Sequence, residues 1–365
     1  MESVRETPCN RHLRSGGDAT LPDSIVLPLP ITGIADSRSG ALMKWVAYYG
    51  KVVVSSLILI FVVIMIMFLL LELAPGDPVQ SLVGQVPVSD AFRAEMTAAY
   101  GLDRPLPERF VAYIANIATG NLGFSFANQE PVGELIIGRL GNTLLITLPS
   151  LVIASIGGIL LGAIAARTRS KWLDGGLSYA AIGGFSLPSF WLGLLLILIF
   201  SVNLGWLPAQ GMSSYTSTGL SIPHMILPIL ALAITEMAFM LRIMRASMIE
   251  VLGQDYIDTA RSKGLSSDLV LWRHGMLNSM LPMVSVIGYS LGFTIAGSVL
   301  IEKVFGWPGM GLLLYESIQR SENMVVMGIL LIITVTVVLV NILTDIVYGL
   351  VDPRIRARFR RTVGV

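Results

Sequence analysis

The chain has 365 residues, of which 54% are hydrophobic and only 13% charged, about half the charged share of a soluble domain; a soluble surface cannot be built from so few charges, which excludes a cytosolic enzyme. The formal charge is +1, from 25 basic and 24 acidic residues, so no basic field exists to attract nucleic acid. A single cysteine, Cys9, and three scattered histidines, His12, His224 and His274, offer neither an internal disulfide nor a metal cage, and no cofactor is expected.

Residues 1–43 are rich in Ser, Gly, Pro and Asp and are expected to be a disordered cytoplasmic extension, with Met43 an alternative start. A charge-free apolar run then occupies residues 52–71, long enough to cross a hydrocarbon core about 30 Å thick. It is too long, and starts too late, for the apolar core of a cleaved signal peptide. Five further runs follow at about 143–166, 177–204, 223–241, 281–301 and 324–350. Pro188 in the third and Pro228 in the fourth predict bends. Gly158 with Gly162, and Gly288 with Gly292, predict close helix approach. The fold class is all-α integral membrane with six transmembrane helices.

Basic residues set the orientation. Six lie before the first span, three after the second, five after the fourth and five in the tail, so nineteen of 25 fall on one face. Both termini are therefore expected in the cytoplasm, as an even number of spans also requires. Residues 74–142 form an external loop with enough apolar residues, among them Phe110, Val111, Tyr113, Ile114 and Ile117, to predict short helices packed on the outer face.

The longest cytoplasmic loop, residues 246–280, carries the strongest polar signal. Met248, Val251, Leu252, Tyr256 and Ile257 recur at helical spacing. Lys263 and Gly264 mark a helix C-terminus, and Ser266 or Ser267 with Asp268 begins a second helix. The reading is helix, glycine turn, helix. One function for it is to rest on lipid headgroups. The other is to dock a cytoplasmic partner, which the mixture of Asp255 and Asp258 with Arg261 and Lys263 suits better than an anionic membrane.

Asp258, Thr259 and Ala260, with Gly264 four residues after the alanine, resemble the EAA loop of the permease subunits of ATP-binding-cassette importers. Asp stands for Glu and Thr for the first Ala. Residues 254–265 (QDYIDTARSKGL), then Arg273, His274, Leu281 and Pro282, are similar to the oligopeptide and dipeptide permease branch. Further motifs follow in the family's order: 73–78 (LAPGDP), 101–107 (GLDRPLP), 120–123 (GNLG), 131–143, 186–193 (SLPSFWLG), 204–208 (LGWLP), 302–311 (EKVFGWPGMG) and 352–356 (DPRIR). The resemblance runs from about residue 44 to 356, with 357–365 a basic cytoplasmic tail, and residues 1–40 match nothing in it.

That resemblance implies the type I importer permease fold in a bacterial cytoplasmic membrane, and a chain that is not itself an enzyme. No lysine precedes Ser or Thr, so the phosphate-binding GxxxxGK[ST] loop is missing. The implied assembly is two permeases, here expected to be different chains, with two cytoplasmic ATPases and an external solute-binding protein. Asp255, Asp258, Thr259, Ala260, Lys263 and Gly264 would form the ATPase-coupling surface. Gly264 would permit the turn, and Asp258 would cap or pair. Polar residues within spans are candidates for the translocation path: Ser186, Ser189, Thr235, Glu236, Ser285, Tyr289, Ser290 and Thr294. Helix packing accounts for most of them, but an acid at mid-span costs about 2.5–3.5 kcal/mol, so Glu236 should face a cavity or a cation. The rival readings are an autonomous secondary transporter or channel, which would need several intramembrane charges and inverted repeats, and an intramembrane enzyme, for which no span carries paired catalytic groups.

Overall fold

A computed structural model of the chain describes residues 36–73, 79–80, 89–168, 170–213 and 220–351. The expected disorder up to residue 35, the 74–78 motif, the 352–356 motif and the basic tail lie outside the described residues, as do Cys9 and His12.

The first helix, α1, runs Asp36–Leu73. It starts upstream of the apolar run, so residues 36–43 are helical rather than part of a disordered extension. Ala41, Leu42, Met43 and Lys44 are all good helix formers, and no proline interrupts them. Among the described residues of the 74–142 stretch, short helices form as expected, α2 (Asp90–Tyr100) and α3 (Leu106–Ala118). Ser89 caps α2 by accepting the Phe92 N–H at 3.2 Å, and Gly101 ends it at φ 58°. Phe110 and Tyr113 of α3 pack on Phe68 of α1. A two-residue hairpin pairs β1 (Phe124–Ser125) with β2 (Glu130–Pro131).

Pro131 then opens α4 (Val132–Arg167), 36 residues and about 54 Å long. The apolar window predicted only 143–166. The helix exceeds it because the first turns, buried at Val132, Leu135 and Ile136, pack on other protein rather than on lipid.

The third predicted span is not one helix. It is α5 (Lys171–Ser186) and α6 (Ser189–Asn203), meeting at 103°. Leu187 sits at φ −83°, ψ 130° and Pro188 at φ −58°, ψ 134°. Proline pushes its predecessor out of the helical region and removes a donor, so the helix must stop there. The last turns of α6, Ile197–Asn203, are π-helical. Among the described residues, five helices are long and apolar enough to cross a membrane alone, and the bent pair makes six if it crosses as one broken span.

Helix α7 (Ile222–Leu252) is followed by the short α8 (Asp255–Ser262), then α9 (Ser267–Phe305), α10 (Met310–Gln319) and α11 (Asn323–Val351). The core lies where α4, α7 and α9 meet. A methionine stripe on α7, Met240, Met244 and Met248, is fully buried with Met283 of α9, and α4 lies directly on it. A side chain at Gly158 would meet Met240 Cβ at 2.6 Å, and one at Gly162 would meet the Leu241 carbonyl at 2.8 Å. Gly288 is covered in the same way by Thr344 of α11. Both expected close approaches are present. By contrast, α1 leaves Leu57, Ile58 and Leu70 more than half exposed, as a lipid-facing helix does.

Candidate coupling segment and translocation path

Helix α8 is two-faced. Ile257 is fully buried and Ala260 is 7% exposed, seated against Val270, Leu252 and Leu265. Asp255, Tyr256, Asp258, Thr259 and Lys263 point outward. The predicted apolar face from Met248 to Ile257 is split, because α7 stops at Leu252 and the chain turns at Gly253 before α8 begins. Met248 and Ile257 face inward with Leu252 between them, whereas Tyr256, counted in the same periodic pattern, is 41% exposed.

The turn after α8 is as expected. Gly264 has φ +80° and donates its N–H to the Arg261 carbonyl at 2.9 Å. No atom would touch a side chain there, so the glycine answers to backbone conformation alone. Ser266 caps the next helix by accepting the Leu269 N–H at 3.4 Å. Asp255, in the first turn of α8, complements the helix dipole. Asp258 pairs with Arg261 at 3.0 Å with both side chains more than half exposed. Such a pair contributes about 0.3–0.5 kcal/mol, too little for stability to explain either residue.

The segment is held from behind. Asn278 of α9 donates to the Tyr256 hydroxyl at 2.8 Å. Arg167, ending α4, pairs with Asp268 at the start of α9. Arg245 grips Asp174 of α5 through two bonds of 2.8 Å. These contacts place the ends of α4 and α7 and the starts of α5 and α9 on one side of the molecule, together with α8. An open groove of about 790 Å³ beside them is lined by Arg167, Leu252, Arg261, Ser267 and Trp272, among others.

The path candidates are dispersed. Ser186 closes α5 and Ser189 opens α6, flanking the proline bend. Ser285 and Tyr289 share an exposed face of α9. Glu236 is half-buried near the middle of α7, beside Ser290 of α9. Thr235 and Thr294 return their hydroxyls to carbonyls of their own helices, Ala231 and Ser290, which assigns them to helix packing.

The residue that the hydropathy pattern misplaced is Glu302. It fell one position beyond the fifth predicted span, in a loop, but α9 continues to Phe305 and Glu302 is fully buried. Its carboxylate accepts Thr143 Oγ1 at 2.7 Å, Ser298 Oγ at 3.0 Å and the Leu312 N–H at 2.9 Å. The last bond caps α10, whose own N-cap, Gly309, has no side chain to do so. Gly309 and Gly311 lie against the carboxylate, and Gly309 has no room for a side chain because one would meet Oε2 at 2.5 Å. Around it Trp307 donates Nε1–H to the Asn142 carbonyl at 2.8 Å, and Asn142 donates to the Pro308 carbonyl at 2.8 Å. The signal available was an acid at the edge of an apolar run, followed at once by a glycine-rich turn.

Comparison with known proteins adds an independent line. The family described as binding-protein-dependent transport system inner membrane component matches residues 158–357, and the N-terminal component of the same system matches 46–147. A Brucella suis biovar 1 (strain 1330) protein described as a candidate peptide permease is 42% identical over 297 residues, 80% of this chain and 93% of that protein. The glutathione transport system permease protein GsiC of Escherichia coli K12 is 40% identical over 298 residues, 81% of this chain and 94% of that protein. Among solved structures, an inward-facing MetNI methionine ABC transporter covers 60% of this chain and 96% of its own, at 18% identity and a TM-score of 0.49.

Proposed function

The chain belongs to the family of binding-protein-dependent transport system inner membrane components, and from that premise we propose that it carries peptides or a peptide-like solute such as glutathione across the inner membrane. Its relatives named for peptide and glutathione transport support that substrate class. It is a permease subunit of an importer; ATP hydrolysis falls to two separate cytoplasmic ATPases, and delivery to an external solute-binding protein. A second permease, of different sequence, completes the conduit. Both termini are cytoplasmic, in keeping with the bias of Lys and Arg and with the helix ends gathered around α8.

One observation carries the mechanism: α8 is anchored by Ile257 and Ala260 and turns its polar face outward. A helix with an exposed polar face, seated on the end of α7 and the start of α9, is a lever. Closure of an ATPase pair gripping Asp258, Thr259 and Lys263 would move α8, and the Arg167–Asp268 and Arg245–Asp174 pairs would pass that movement to α4, α5, α7 and α9. ATP binding thereby favours one of two conformations through contacts that differ between them. The chain's own part is positional.

Tagged chain purified in mild detergent from native membranes should bring down ATPase subunits, and the double variant Asp258→Arg with Gly264→Pro should lose them. A chain that purifies alone and moves solute in vesicles without ATP would overturn the reading in favour of an autonomous transporter.

A further inference from the structure

Glu236 is a charge without a counterion. It lies near the midpoint of α7, inside a span of mean hydropathy 1.9. No cation of the described residues pairs with it. The nearby basic groups are engaged elsewhere: Arg242 lies over the Phe185 ring at 5.5 Å, and Arg245 is held by Asp174. Ser290, beside Glu236, is fully buried, and its hydroxyl has no partner other than the Glu236 carboxylate. So a carboxylate and a hydroxyl that answer only to each other lie together where α7 packs on α9.

The adjoining surface of α9 exposes polar and aromatic groups. Ser285, Tyr289 and Phe293 follow one another at four-residue spacing and are all exposed. Tyr289 and Phe293 are 60% and 56% exposed and stack at 5.9 Å. An exposed tyrosine facing hydrocarbon would belong at the membrane surface rather than at the middle of a span. Two ring faces also attract cations.

Resting on the permease reading, we propose that Glu236 and Ser290 form a transient recognition site for an ammonium group, so that the solutes carried include ones bearing a free amine. The carboxylate would supply the charge, and the Ser290 hydroxyl would accept an N–H bond. A solute that brings the missing cation removes the cost of an unpaired acid in the membrane while it is bound. An unpaired acid is tolerable in a conduit because its partner arrives with each transport cycle.

The test needs no knowledge of the natural solute. In the assembled complex, with Cys9→Ser to remove the native thiol, Ser290→Cys is exposed during ATP turnover to two thiol reagents. One is the permanently cationic 2-(trimethylammonium)ethyl methanethiosulfonate, the other the anionic 2-sulfonatoethyl methanethiosulfonate. The expected result is a cation-to-anion rate ratio that falls at least about fivefold when Glu236→Gln is added, with no comparable fall at Ser285→Cys. A ratio indifferent to Glu236→Gln, or a Ser290→Cys that neither reagent reaches at any stage of turnover, overturns the proposal. Uptake of labelled trialanine by the same vesicles keeps the two levels apart. ATP-dependent uptake with a charge-indifferent ratio defeats this inference alone; uptake that ignores ATP defeats the permease reading beneath it.

Discussion

Glu302 joins three elements with a single carboxylate: α9 that bears it, α4 through Thr143, and α10 through the Leu312 N–H. Removing it strands two donors, the Thr143 hydroxyl and the Leu312 N–H, each costing about 1–3 kcal/mol, while Ser298 keeps the Ile295 carbonyl. Glu302→Ala should therefore destabilise by about 2–6 kcal/mol, and Thr143→Val, which leaves the carboxylate its other donors but strands the buried Met310 N–H, by about 1–3 kcal/mol. Thermal unfolding of the purified protein in detergent measures both, and equal effects would show that the carboxylate is not the hub. Residue-scale features of this kind resist sequence reading for a physical reason. Glu302 and Thr143 are 159 positions apart, and no periodicity links residues whose contact is made only by tertiary packing. Gly264 is the opposite case. Its role is local, a left-handed turn after a helix, and the Lys-Gly signature alone predicts it. Gly264→Ala should cost about 1–2 kcal/mol of local strain, read as faster hydrogen exchange across α8 in an otherwise unchanged protein.

At the scale of elements, hydropathy located the spans because each buries or faces lipid along its whole length. It failed where protein rather than lipid set the boundary. The first turns of α4 are covered by α10 and α11 residues such as Met310, Val325 and Ile329, which no window over one segment can see. The α5–α6 bend was legible as a proline kink but not as a right-angled break, since the angle depends on what each arm packs against. The α4–α7 seam was legible from Gly158 and Gly162. Gly158→Leu should force the helices apart at Met240 and cost about 1–3 kcal/mol, seen as a lower unfolding temperature and reduced yield of folded protein. In α8 the two faces separate cleanly. Ile257→Asp puts a charge where Val270 and Leu252 now sit, and should unseat α8. The variant chain should still insert and fold, yet fail to retain ATPase subunits in detergent; retention equal to wild type would mean the seat is dispensable.

For the whole molecule, the account is that of a membrane conduit worked from outside. Its core of α4, α7 and α9 is knitted by glycine seams and a methionine stripe. Its polar load is concentrated at the two ends, in the Glu302 cap and in α8 with its flanking ion pairs. The energy source would therefore act on one end, through the outward face of α8, and this is the central claim. It is tested most directly by cysteine cross-linking in native membranes, in a chain carrying Cys9→Ser. Thr259→Cys, on the outward face, should form a disulfide with an ATPase subunit, and its yield should change between ATP-bound and nucleotide-free states. Ile257→Cys, two residues away and fully buried, should form none. Cross-linking from residue 257 but not from 259, or from neither in a complex that still hydrolyses ATP and takes up solute, would contradict the account.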